Sequence, residues 1–293
     1  MQKSSIIKPV YMAFKTLSHL HISSHRYTLG KPEISLFLLF PFLFIASFRL
    51  KLGIPCTFDF VDGSFPCTPA PDIAPFYRPP YYSYYESNTV THVRDSHKWL
   101  LEKIARDGPY DGVMLFSQGC NVIASFLLYH QVANPEAPPP FKVAVFICGG
   151  ISLRVLEDLG MPVSQEAYDW EERMRVELME KNDPALVLSR GRHRWESSSL
   201  HPSHPIDLGN VFGLNLSQLP AQLRIQIPTV HIYGSKDPRY PASLQLSHLC
   251  SPESRRTYDH RSGHDIPRTK EVSEAIASLI RWSAQMAGQQ QSR

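Results

Sequence analysis

Residues 111–119 read DGVMLFSQG, and residues 121–129 continue with the apolar spacing of a helix. The apolar run at 113–116 follows Asp-Gly and precedes that helix, which predicts a short buried strand. Ser117 therefore stands at a sharp turn between a strand and a helix. Such a turn lifts the serine Oγ clear of the sheet and points the N–H of the next residue, Gln118, towards an oxyanion.

This arrangement is the nucleophile elbow of α/β-hydrolases, whose usual pattern is G-x-S-x-G. The match is incomplete, because Leu115 occupies the position of the first glycine. A serine between a strand and a helix also occurs as a purely structural residue. The five residues alone leave both interpretations open.

Composition restricts the possible classes of protein. The chain has 293 residues, 43% of them hydrophobic and 19% charged, which suits a single large α/β domain. A net charge of +3 without a long basic run speaks against a nucleic-acid partner. The cysteines form no C-x-x-C pair and have no zinc spacing, so we expect free thiols, a reducing cytoplasmic location and no zinc site. They are Cys56, Cys67, Cys120, Cys148 and Cys250.

Outside the elbow, short apolar runs alternate with amphipathic helical patterns. Strand–helix–strand spacing of this kind implies right-handed parallel βαβ units, hence an α/β fold with a mostly parallel sheet and flanking helices. Strands are predicted at residues 57–63, 142–148, 227–233 and 256–258, and helices at 89–106, 166–181, 241–249 and 270–286.

Two stretches lack this alternation of predicted strands and helices. Residues 151–226 lie where α/β-hydrolases carry a cap or lid, and long insertions there usually control substrate access. Residues 66–85 are rich in proline and tyrosine. Tyrosine rings offer an apolar face and one hydroxyl, so this loop either lines an acyl pocket or covers the edge of the core.

The N-terminal part is atypical. Residues 1–34 lack periodicity, and residues 35–48 read SLFLLFPFLFIASF. This run is shorter than the about 20 residues of a transmembrane helix, Pro41 interrupts it, and it begins too far along the chain for a signal peptide. Its residues can be encoded almost entirely in pyrimidines, so we hypothesise that residues 10–45 include translated intron. We therefore expect residues 1–45 to be mis-spliced or disordered and residues 46–288 to form the hydrolase domain.

A serine nucleophile needs a base and an orienting acid, which follow it in the order acid then histidine in α/β-hydrolases. Asp237 lies in YGSKDP at 233–238, directly after a predicted strand. His264 lies in HRSGHDIP at 260–267, after the last strand. His260 and Asp265 are rival candidates, and Asp237 could instead stabilise a turn or cap a helix.

With these residues in view, the chain from about residue 45 to 282 resembles the fungal serine hydrolase family, in particular its LovG-like branch. The stretches that carry the resemblance are FVDG at 60–63, YYSYY at 81–85, GVMLFSQG at 112–119, HIYG at 231–234 with Asp237-Pro238, and GHDIP at 263–267.

The resemblance implies an esterase or thioesterase that uses no cofactor, with Ser117 as nucleophile, Asp237 as acid and His264 as base. It also implies an acyl substrate, free or bound to a carrier protein, and a polyketide synthase as a partner. The sequence departs from the family at Leu115 and at its N-terminus. Family members begin with a strand and a His-Gly loop that supplies a second oxyanion donor, and residues 1–45 contain no such segment.

Overall fold

The computed structural model describes residues 11–16, 47–54, 56–69, 79–196, 206–217 and 219–291. A six-stranded sheet in the order β2-β1-β5-β6-β7-β8 forms its centre, and β3 and β4 form a separate two-stranded sheet. The strands are β1 (Tyr11–Thr16), β2 (Cys56–Val61), β3 (Phe65–Pro66), β4 (Tyr82–Ser83), β5 (Gly112–Phe116), β6 (Val143–Ile147), β7 (Thr229–Tyr233) and β8 (Arg255–Asp259).

Helices alternate with the strands from β5 onwards, as the sequence predicts. The helices are α1 (Val90–Asp107), α2 (Gln118–Ala133), α3 (Leu153–Asp158), α4 (Gln165–Lys181), α5 (Pro184–Arg190), α6 (Tyr240–His248) and α7 (Lys270–Gln291). Thr89 caps α1 by accepting the N–H of His92, which accounts for the start of that helix. The prediction of a mostly parallel sheet with flanking helices is confirmed.

The central strands of the sheet are covered on both faces. All residues of β5, β6 and β7 are buried, as expected for parallel strands between two helical layers. Side chains alternate between the faces. In β5, Val113 and Leu115 join the core beside α1 and α2, whereas Met114 and Phe116 join the core beside α7.

The first strand differs from the sequence expectation. Residues 1–34 show no strand periodicity, yet Tyr11–Thr16 form β1 between β2 and β5. A short segment without a distinctive pattern can become a strand when neighbours on both sides supply its hydrogen bonds. The other strands of the main sheet run parallel to β5, but β1 pairs antiparallel with both neighbours.

The direction of β1 matters for the edge of the sheet that carries Ser117. Tyr11 pairs with Leu115 and Val61, while Thr16 pairs with Cys56 at the other end. β1 therefore brings its first residue, Tyr11, to the edge next to Ser117. Its last residue, Thr16, lies at the opposite edge.

Several further expectations can be compared with the structure. Between β6 and β7 the chain forms α3, α4 and α5, a short 3-10 helix at Gly191–Trp195, and turns held by isolated bridges around residues 207–214. Tyr84 and Tyr85 of the tyrosine-rich loop are buried in the core, whereas residues 70–78 lie outside the described residues. Most of the apolar run at 35–48 also lies outside them. Its last residue, Phe48, is fully buried.

The cysteines are free thiols, as predicted. Among the described residues, no helix combines the length and apolar character that crossing a membrane requires.

Candidate active site

Ser117 occupies the turn between β5 and α2, as predicted. Its backbone has φ 53° and ψ −114°, a conformation that is unfavourable for a residue with a side chain. Its N–H donates to the carbonyl of Ile147 in β6 (2.9 Å), which ties the turn to the neighbouring strand. Gln118 is the first residue of α2, so its N–H has no acceptor within the helix and is free to face a ligand.

Leu115 does not prevent the elbow from forming. Its side chain is fully buried in the core. A Cβ added to Gly119 would lie 3.6 Å from the Leu115 Cβ, an ordinary van der Waals distance. The tight position is Gly149 after β6, where any Cβ would collide with Cys120 and approach the Ser117 carbonyl.

The structure brings Ser117, His264 and Asp237 into one hydrogen-bonded chain. His264 Nε2 lies 3.0 Å from Ser117 Oγ, and His264 Nδ1 lies 2.8 Å from Asp237 Oδ2. The side chains of His264 and Asp237 are fully buried, and Ser117 is half-buried. The Phe116 ring packs on the imidazole, with centroids 4.9 Å apart. This geometry can move a proton from a serine hydroxyl to an imidazole that a carboxylate orients.

The loops that carry Asp237 and His264 are fastened to each other. The Lys236 N–H donates to the Ser262 carbonyl (3.0 Å), and the His260 N–H donates to the Tyr233 carbonyl (2.9 Å). Asp259 Oδ1 accepts two backbone N–H groups, those of Ser235 (2.8 Å) and Arg261 (2.7 Å). These bonds set the distance between the acid and the histidine, although 27 residues separate the two in sequence.

The insertion between β6 and β7 packs directly on the histidine loop. Trp195 is almost fully buried, and its indole ring lies so close to Gly263 that a Cβ there would overlap the ring. Arg192 Nε lies 3.5 Å from Asp265 Oδ2, the residue after His264. The position of His264 therefore depends on the segment Gly191–Trp195 of the insertion, which the sequence alone did not indicate.

The side chain of Gln118 also has a structural partner that the motif did not predict. Its Oε1 accepts the Tyr84 N–H (3.1 Å), and its Nε2 donates to the Tyr85 carbonyl (3.2 Å). Next to it, Asn121 donates to the Tyr85 hydroxyl (3.1 Å) and accepts the Ser152 N–H (2.7 Å). The start of α2 is thereby bound to the tyrosine-rich loop.

The rival candidates occupy other positions. His260 lies against the Cys148 thiol, with 3.7 Å between Nε2 and Sγ. Asp265 pairs with Arg192. Of the two histidines, His264 is the one that contacts Ser117.

Burial shifts the pKa of several ionisable groups in the loop after β8, in α2 and in α4. Burial lowers the pKa of His260, with Asp265 and Asp237 opposing the shift. Burial raises the pKa of Cys120 to about 12, so this thiol beside the elbow stays protonated. On α4, burial raises the pKa of Glu171, and Arg239 partly offsets that change.

One cluster has the residue types of a metal site. Ligating atoms of Cys148, Asp237 and His264 lie within 4.8 Å of one another, and all three residues are buried. Asp237 and His264 already share a hydrogen bond, so a cation would have to separate them.

The chain matches the model of a known protein family. The model of the family described as serine hydrolase (FSH1) matches residues 45–276. This match begins where the resemblance in the sequence begins.

Curated relatives come from fungi. Esterase alnB of Emericella nidulans is 27% identical over 263 residues, which cover 80% of this chain and 87% of the relative. Hydrolase FUB4 of Fusarium oxysporum is 29% identical, covering 69% of this chain and 76% of its own length. Esterase FPY3 of Fusarium mangiferae is also 29% identical, covering 72% and 73% respectively.

Among solved structures, an esterase from the bacterial hormone-sensitive lipase (HSL) family aligns with 68% of this chain over 61% of the esterase chain. Its TM-score is 0.35 and its sequence identity is 13%, a likeness too distant to support conclusions about this chain.

Proposed function

This chain belongs to the serine hydrolase (FSH1) family, and we propose that it cleaves acyl thioesters or esters with Ser117 as nucleophile, His264 as base and Asp237 as orienting acid. The observation that carries the proposal is the continuous chain of hydrogen bonds, 3.0 Å and 2.8 Å long, between these side chains. A serine hydroxyl is a weak nucleophile, and a neighbouring imidazole removes its proton as it attacks.

In the first half-reaction, Ser117 Oγ bonds to the substrate carbonyl carbon while its proton passes to His264 Nε2. Asp237 accepts the Nδ1–H of His264 and stabilises the imidazolium that forms. The Gln118 N–H donates to the oxyanion of the tetrahedral intermediate. The intermediate then loses its thiol or alcohol, which receives the proton from His264, and an acyl group remains on Ser117.

In the second half-reaction, water attacks the acyl carbon and gives its proton to His264. The bond to Ser117 Oγ breaks, and the hydroxyl recovers its proton from the imidazolium. The products are a carboxylic acid and the free enzyme. The catalytic groups all belong to this chain, and water is the only reactant besides the ester or thioester.

We further propose that the acyl group is of polyketide type, released or edited in fungal secondary metabolism while bound as a thioester in the cytoplasm. Support comes from the resemblance to the LovG-like branch and from the esterase and hydrolase names of the fungal relatives. The free thiols suit a reducing compartment.

A comparison of matched substrates tests the chemistry. The purified chain is given an acyl thioester of N-acetylcysteamine and the oxygen ester of the same acid, beside a Ser117→Ala control. We expect kcat/KM to be higher for the thioester and both activities to disappear in the control. A strong preference for the oxygen ester would instead identify a carboxylesterase for small esters.

A different candidate, a hydrolase-fold protein that binds a ligand without turnover, has one observation in its favour. The first strand of family members leads into the loop with the second oxyanion donor, whereas β1 runs antiparallel to β5 and its last residue, Thr16, lies at the edge away from Ser117. Loss of one oxyanion donor typically lowers kcat by about 10²–10³-fold. Complete absence of turnover on both substrates, with tight binding of the product acid, would support this candidate.

A further inference from the structure

Positive charge collects on three segments of the chain. They are residues 190–196 of the insertion, residues 235–239 after β7 and residues 259–268 after β8. Together they contain seven arginines and lysines but four carboxylates, an excess of three positive charges. The formal net charge of the whole chain is +3, so the rest of the chain is neutral overall. The net positive charge of the protein therefore resides in these segments.

Contacts within the protein hold the three segments together. The indole ring of Trp195 packs against Gly263, and the Lys236 N–H donates to the Ser262 carbonyl (3.0 Å). β7 and β8 run parallel to β5, so the loops that follow them lie at the edge of the sheet that carries Ser117. The charged side chains of these segments therefore stand beside the candidate active site.

Each carboxylate of the three segments already has a partner inside the protein. The pairs are Glu196 with His193 (2.8 Å), Asp265 with Arg192 (3.5 Å), Asp237 with His264 (2.8 Å) and Asp259 with two backbone N–H groups. The side chains of Arg190, Lys236 and Arg261 are exposed, and none of the three forms an ion pair with a carboxylate of the described residues. We call these three residues the basic rim.

A thioester substrate carries an anion at a distance that suits the basic rim. In cells, acyl thioesters are attached to a pantetheine arm, whose other end bears a phosphate in coenzyme A and in acyl carrier proteins alike. The carbonyl carbon must reach Ser117, which is half-buried, so the phosphate at the far end of the arm stays near the protein surface. Exposed cations without a counter-ion attract such a phosphate, and an arginine can bind it through two parallel N–H bonds.

We propose that the basic rim is a phosphate subsite, which binds the far end of the pantetheine arm of a thioester while the acyl end lies at Ser117. The inference rests on the proposed function and adds the class of leaving group, a phosphopantetheine thiol. An ester of a small neutral alcohol lacks the group that the basic rim recognises, so the rim adds nothing to its binding.

The test compares two substrates that differ by one phosphate. The same acyl group is offered to the full chain as the thioester of pantetheine and as the thioester of 4′-phosphopantetheine. We expect kcat/KM to be roughly tenfold higher for the phosphorylated substrate, because an exposed ionic contact contributes about two- to fivefold and three cations are available. The ratio of the two values should fall towards one in about 1 M NaCl, where the Debye length is about 3 Å.

Neutral variants identify the cations responsible. The triple variant Arg190→Gln, Lys236→Gln and Arg261→Gln should bring the ratio of the two kcat/KM values close to one at low salt. The matched control is the triple variant Lys98→Gln, Arg106→Gln and Lys142→Gln. It removes the same charge from exposed side chains on α1 and just before β6, away from the three segments, and should keep the wild-type ratio.

The source of the phosphate is decided by a second pair of substrates, the same acyl group on coenzyme A and on a phosphopantetheine-bearing carrier protein. The substrate with the higher kcat/KM is the source, and that kcat/KM should fall roughly tenfold in the triple variant of the basic rim. Turnover of both substrates that is independent of the basic rim would overturn the inference.

The remaining outcomes separate the inference from the proposed function. Equal kcat/KM for the two pantetheine thioesters in wild type would refute the inference alone, as would a preference that persists in the triple variant or is lost equally in its control. If the triple variant does not unfold cooperatively in urea, Lys236→Gln and the salt dependence of wild type decide in its place. Absence of turnover of both thioesters, with no fluorophosphonate adduct on Ser117, would overturn the proposed function and this inference with it.

Discussion

Replacement of Gly263 by alanine tests how far the histidine loop depends on the insertion. Gly263 precedes His264, and a Cβ there would overlap the indole ring of Trp195. Carbon atoms in contact are about 3.5–4.0 Å apart, so the ring or the loop must move by roughly 1 Å or more. Trp195 is buried and cannot turn away freely.

Two effects follow from this displacement. Overpacking of a filled site costs about 1–3 kcal/mol of stability. A shift of about 1 Å in a reacting group can lower a rate by about 10²-fold, and His264 is the next residue along the chain. We therefore expect Gly263→Ala to unfold at lower urea concentration and to label Ser117 up to 10²-fold more slowly.

Gly288→Ala is the control, because among the described residues no atom outside the adjoining backbone of α7 lies within 4 Å of a Cβ added at this position. It should be slightly more stable than wild type and label at the same rate, since alanine is favoured over glycine in a helix by about 0.5–1 kcal/mol.

A double mutant tests the stated cause directly. Trp195→Leu in the Gly263→Ala background makes room for the new methyl group and should recover part of the labelling rate. Wild-type labelling and stability in Gly263→Ala would refute the reasoning, as would a double mutant slower than either single mutant. The coupling energy between the two sites gives the size of the clash.

Three other predictions concern the acid, the elbow and the response to pH. Asp237→Asn should lower kcat by about 10⁴-fold with little change in urea stability, because the amide no longer favours the reactive tautomer of His264. Leu115→Ala should lower the free energy of unfolding by about 2–5 kcal/mol, measured in urea, since this side chain is fully buried. Burial lowers the pKa of His97 to about 4. The neutral ring then contributes stability above pH 6.5 that is lost as the pH falls towards 4, up to roughly 3 kcal/mol, so His97→Gln should show a shallower loss of urea stability over that range.

Much of the fold follows from local sequence signals. β5 and β6 are runs of consecutive apolar residues, which is typical of fully buried parallel strands, while β7 also contains Thr229 and His231. All three strands were predicted to within about two residues. Helix α1 could be placed from its amphipathic pattern, and in the structure Thr89 caps its first turn. The order serine, aspartate, histidine also predicted which side chains would meet.

Other features depend on contacts between distant segments. β1 has no pattern of its own, and its direction is decided by pairing with β2 and β5. Cys148 and His260 are 112 residues apart, and each looked like a scattered residue of a common type. Trp195 packs against Gly263 but lies in a stretch without an apolar period, so the sequence could not identify it as the neighbour of the histidine loop.

The most direct test of the central claim is covalent labelling of the full chain with a fluorophosphonate, followed by peptide mapping of the adduct. The account predicts one adduct, on Ser117, which is absent in Ser117→Ala and formed much more slowly in His264→Ala. Protein that unfolds cooperatively in urea but carries no adduct on Ser117 would contradict it.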